Sequence, residues 1–202
     1  MQKNQTILLS TLLSLLVSGM AQADVFQFEA SLSGPAEFPP VPSPGTGSAL
    51  VTYDNVAHTL LVSAEFMDLL APTTVAHIHA PTAVPFDGTV SVATYPSTFP
   101  GFPAGVTAGT YDSPVIDLTQ TTSFTGGFLA ANGGTAGGAE TGLFKALRNG
   151  KAYFNIHTTL HQSGEIRGFL TPVPDSSATT PLLALALLAI AGFTRYQRVV
   201  AA

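Results

Sequence analysis

His77-Ile78-His79 sets two imidazoles two residues apart inside the run Thr74-Val75-Ala76-His77-Ile78-His79. Alternate side chains of a strand share a face, so both rings point the same way, about 7 Å apart, while Ile78 points the other way. Tyr153-Phe154-Asn155-Ile156-His157 repeats the pattern, with Ile156 opposed to His157. Gly164-Glu165-Ile166-Arg167-Gly168 again opposes an isoleucine to two charged groups. If the three strands are neighbours, histidine, glutamate and arginine gather on one polar surface.

Two chemistries suit that surface. Imidazole nitrogens bind Zn and Cu at about 2.0 Å, and a His-x-His strand is a sound first half of such a centre. On this reading His77, His79 and His157 hold a divalent ion, Zn or Cu, with Glu165 or His161 as a further ligand. On the other, His77, His79, Asn155, His157, Glu165 and Arg167 form a structural polar network, fixed because each unsatisfied buried polar group costs about 1 to 3 kcal/mol. Catalysis has little to work with. Ser163 and His161 are close in a loop without a third group to orient the ring, Glu29 and Glu37 read as solvated carboxylates, and Gly133-Gly134 and Gly137-Gly138, lacking the context of a phosphate loop, read as flexible turns.

The elements that must position these residues are short strands. Phe26, Phe28, Ala30 and Leu32 alternate with polar residues, as do Leu60, Val62, Ala64 and Phe66, and residues 48–54 supply a strand between them. The five prolines between Gly34 and Gly47 force a stiff loop. Strands are expected over 74–79, 90–94, 115–118, 123–129, 151–158 and 165–171, with a surface loop over 95–110. One short helix is expected near 140–148, where Leu143, Phe144 and Leu147 share a side and Asn149-Gly150 stops the chain. Many short strands separated by Gly and Pro point to an all-β fold, an immunoglobulin-like antiparallel β-sandwich.

The two ends differ from this domain. Residues 1–23 carry Lys3, an apolar run from Ile7 to Val17 and the small-residue close Ala21-Gln22-Ala23, the layout of a secretory signal peptide. Residues 172–202 hold Val173-Pro174-Asp175-Ser176, an aliphatic run over 181–193, then Arg195 and Arg198. That run is shorter than the roughly 20 residues a bilayer span needs, so contact with a membrane is expected at least transiently. The tail resembles the VPDSG variant of the PEP-CTERM bacterial sorting signals, with Ser177 where the variant has glycine. The resemblance implies a sorting protease acting on the tail and a place at the cell envelope, cell surface or extracellular matrix.

Residues 24–171 are then one domain, large enough for its own core. Eleven acidic residues face four basic ones there, a formal charge of −7 that repels phosphate backbones and excludes nucleic acid as a partner. Without cysteine there are no disulfides, thiolate ligands or thiol nucleophiles.

Four separated pieces carry a wider resemblance: 28–34 with Ala36-Glu37-Phe38-Pro39-Pro40, Ala76-His77-Ile78-His79, residues 150–158, and Gly164-Glu165-Ile166-Arg167-Gly168. In this order they resemble the CHRD domain, repeated in the developmental protein chordin and found singly in secreted bacterial proteins. The resemblance implies an all-β extracellular module with no established enzymatic reaction. The expected function is therefore binding or structural, with an extracellular protein or polysaccharide matrix as partner and metal binding as the alternative.

Overall fold

A computed structural model describes residues 25–95 and 97–174. The signal-like segment 1–23 and the aliphatic run 181–193 lie outside the described residues. Among the described residues, no helix is long and apolar enough to cross a membrane.

The fold is all-β and mostly antiparallel. Strands β1 (Val25–Ser33), β2 (Thr46–Asp54) and β3 (Thr59–Met67) form a meander in full register, Val25 opposite Asp54 and Thr46 opposite Met67. β4 (Thr73–His79) pairs with β7 (Tyr153–Thr158), which pairs with β8 (Ile166–Phe169). The two groups join where β8 meets β1 through the single pair Ser33 and Arg167. β5 (Gly109–Asp112) extends the far edge beyond β3, β6 (Ile116–Asp117) also pairs with β3, and β9 (Thr171–Pro172) pairs with β1. The strands thus follow one hydrogen-bonded path, β4-β7-β8-β1-β2-β3-β5, curled into a half-barrel rather than divided into two separate sheets.

Phe28, Val51, Val62, Ile78, Phe154 and Ile156 line the concave core, each almost fully withdrawn from water. The period-2 pattern explains this, because a curled sheet offers alternate residues of every strand to one interior.

Several elements differ from the expectation. Helix α2 spans Ala136–Arg148, starting four residues before the helix expected at 140. Gly137-Gly138 is helical here rather than a turn. The Thr135 hydroxyl caps the helix by accepting from Gly138 N at 3.1 Å, and a Cβ on Gly138 would lie 2.0 Å from the Asn132 carbonyl oxygen. Glycine is needed for close approach, not for flexibility. Residues 123–129 do not form the expected strand: Thr125 caps helix α1 (Gly126–Ala131). Only isolated bridges remain of the strand expected at 90–94, and β5 begins inside the expected loop at Gly109. On α2, Phe144 packs against Phe26 and Tyr53, both at 4.7 Å between ring centroids, and so closes one end of the core.

Candidate metal centre

Antiparallel pairing sets His79 opposite Tyr153, His77 opposite Asn155 and Val75 opposite His157. His77, His79, Tyr153, Asn155 and His157 consequently share the face opposed to Ile78, Phe154 and Ile156. Every residue of β7 is buried, so this polar face is covered too. Its cover comes from the segment after β4, which brings the carbonyls of Val90 and Ser97, and from Gln162 in the β7–β8 loop.

Each imidazole spends one nitrogen on a backbone carbonyl. His77 Nε2 lies 2.9 Å from Ser97 O, His79 Nδ1 2.8 Å from Val90 O, and His157 Nδ1 2.8 Å from Gln162 O. A carbonyl only accepts, so those nitrogens carry the protons. The other three, His77 Nδ1, His79 Nε2 and His157 Nε2, are left with bare lone pairs. The three side chains each offer a ligand nitrogen within 4.8 Å of the others. His77 Nδ1 and His157 Nε2 stand 3.5 Å apart, and His79 Nε2 is buried without any partner.

Protonation of a ring is opposed by burial, which lowers the pKa of all three histidines and takes His79 down to about 4. The ring–carbonyl bonds push the other way, and neighbouring charges, His157 among them, lower His77 and His79 further. Three rings whose tautomers are fixed by outer carbonyls could hold a metal ion. For nitrogens about 2.0 Å from a common ion, neighbouring ligands lie about 3.3 to 3.5 Å apart, which the His77–His157 separation already meets.

Of the remaining residues singled out in the sequence, Glu165 and His161 are placed apart. Glu165 is fully buried in a different network: Oε1 accepts from Ser43 Oγ at 2.7 Å and Leu70 N at 2.6 Å, and Oε2 from Thr158 Oγ1 at 2.7 Å. It ties the Pro-rich loop and the β3–β4 loop to β7. His161 lies in the β7–β8 loop outside the triad, its Nε2 buried and unpartnered. Arg167 stays on the polar face, 4.6 Å above the Tyr153 ring, donating to the carbonyls of Ala36 and Gly88.

Tyr153 and Glu37 also line this face, though the residue pattern gave neither a role there. Tyr153 stacks on His79 at 4.7 Å and 7°. Glu37, read as a solvated carboxylate, is only 6% exposed, its Oε2 3.9 Å from Arg167 Nε. Burial raises its pKa to about 7 against the pull of Arg167 and of the Phe38 backbone N–H. The carbonyls of Ser97, Val90 and Gln162 were also missed; nothing in a side-chain pattern marks a backbone acceptor. On the far side of the fold, His58 Nδ1 meets Glu140 at 2.9 Å, and the same carboxylate accepts from Tyr53 Oη at 2.8 Å. No spacing signal pairs residues so distant in sequence.

Fold and site together define an all-β module with a buried histidine triad between two strands. The comparison with protein families gives the family. Residues 28–170 match the CHRD domain, and the chain belongs to that family. No curated protein and no solved structure matches it.

Proposed function

We propose that this chain is an exported binding module whose ligand is a transition-metal ion held by His77 Nδ1, His79 Nε2 and His157 Nε2. One observation carries the reading: three buried imidazoles, each with one nitrogen on a backbone carbonyl, bring a ligand nitrogen apiece within 4.8 Å of one another. A bound cation would also meet His79 Nε2, which is buried without a partner at a cost of about 1 to 3 kcal/mol. The module binds rather than catalyses. Glu165, with both oxygens satisfied by Ser43, Leu70 and Thr158, serves structure.

Export rests on the signal-like composition of residues 1–23, and a sorting protease and envelope or matrix attachment on the motif, aliphatic run and arginines of residues 172–202. An extracellular protein or polysaccharide matrix is the companion partner. We also read the half-barrel as a sandwich-like closure, the β4-β7-β8 group folding over the β1-β2-β3 meander about the Ser33–Arg167 junction.

The test is a titration of full-length protein, purified without a histidine tag and stripped of metal, with zinc or copper. One equivalent binding at micromolar concentration or tighter, lost in His157→Ala, is expected. No binding, or unchanged binding in the variant, overturns the reading.

A further inference from the structure

The ligand count and charge of the triad discriminate among ions, an argument that rests on the metal-binding reading above. We infer that the centre selects monovalent copper, Cu(I), over Zn(II) and Cu(II).

The ligands are three neutral nitrogens. Among the described residues no carboxylate joins the group, and the Glu165 oxygens are spent on Ser43, Leu70 and Thr158. A bound ion therefore keeps its whole formal charge. His77, His79 and His157 are only 6%, 8% and 7% exposed. The cost of withdrawing an ion from water grows with the square of its charge, so a divalent ion is penalised about four times as heavily as a monovalent one.

The fixed charge nearby has the wrong sign for a dication. Arg167 lies over the Tyr153 ring at 4.6 Å, and that ring stacks on His79 at 4.7 Å. The carboxylate paired with this guanidinium, Glu37 at 3.9 Å, is held toward its neutral form by burial.

Three protein ligands complete Cu(I), whereas they leave zinc a fourth position to fill with water in a covered site. Structural zinc takes four protein ligands, and catalytic zinc takes three with an open position for water. Divalent copper favours a tetragonal array. Monovalent copper has a filled d shell and is satisfied by three ligands. The 3.5 Å between His77 Nδ1 and His157 Nε2 fits two nitrogens bound to one ion at about 2.0 Å.

The experiment uses the untagged full chain under anaerobic conditions. Ascorbate-reduced copper is competed against bicinchoninate, and zinc against a colorimetric indicator. One equivalent of Cu(I) bound at least about a hundredfold more tightly than Zn(II) is expected. X-ray absorption of the copper-loaded wild type should show a three-coordinate Cu(I) edge with nitrogen scatterers at about 2.0 Å, a readout that needs no variant to fold. His157→Ala, checked for folding by circular dichroism, should lose the tight site. Zinc binding as tight as Cu(I), or a four-coordinate copper spectrum, overturns the choice of ion and leaves the metal-binding reading standing. Failure of both metals to bind overturns both.

Discussion

The β1-β2-β3 meander and the β4-β7-β8 group are built from similar alternating sequences, yet they treat their second face differently. In β1, Phe28, Ala30 and Leu32 are buried while Gln27, Glu29 and Ser31 face water. In β7 all six residues are buried, Phe154 and Ile156 against the core and Tyr153, Asn155 and His157 beneath covering loops. A sheet face left wet tolerates any polar residue. One that is covered must account for every donor and acceptor. The polar face of β4 and β7 gives each imidazole one carbonyl and leaves His79 Nε2 without a partner, and the proposed site rests on that imbalance.

Substitutions can break this contrast. Phe154→Ala, on the dry face of β7, should cost about 3 to 5 kcal/mol in urea unfolding. A loss under 1.5 kcal/mol would mean that the apolar face is not the packed core described here. Gly164→Ala should cost about 1 to 3 kcal/mol, because Gly164 has φ +125 and a Cβ there would lie 2.4 Å from Asn155 Oδ1 and 2.6 Å from Glu37 Oε1. Wild-type stability in that variant would show that the β7–β8 loop is not held against Asn155.

Two buried groups give opposite pH slopes. His79 has its pKa lowered from 6.5 to about 4 in the fold, so between those values the unfolded chain binds the extra proton and stability falls as pH falls. Glu37 is raised from 4.5 to about 7, so the folded chain binds the extra proton and stability falls as pH rises through that range. The two oppose one another between about pH 4.5 and 6.5. Glu37→Gln removes one side, and its unfolding free energy should climb with pH more steeply than the wild type's, by up to about 1.4 kcal/mol per pH unit. Parallel profiles measured on metal-free protein at several pH values would return Glu37 to the solvent. At the small end, Leu61→Thr on the wet face of β3 should change stability by less than about 0.5 kcal/mol. A larger loss would mean that this face is covered as well.

Much of this was legible in the residues. Strict alternation in β1 and β3, and the isoleucines opposed to histidines in β4 and β7, fixed both the strands and the face on which His77, His79 and His157 meet. What failed to show was set by tertiary packing. Gly138 reads as a flexible turn until Asn132 is placed beside it, and Thr125 reads as a strand residue until it caps α1. Glu165 and Arg167 alternate as same-face neighbours, but the Glu165 carboxylate is drawn to Thr158 and Ser43 while Arg167 turns to Tyr153. Periodicity assigns a side to each residue; it does not choose hydrogen-bond partners. The carbonyls that fix the tautomers come from segments with no regular pattern.

The central claim is which ring nitrogens face the ion, and long-range proton–nitrogen NMR of the imidazoles reads it directly. In metal-free protein near neutral pH, the protonated nitrogens should be Nε2 of His77 and Nδ1 of His79 and His157, and added metal should shift Nδ1 of His77 and Nε2 of His79 and His157. The opposite tautomers, or rings that ignore the metal while His58 or His161 responds, would contradict the account.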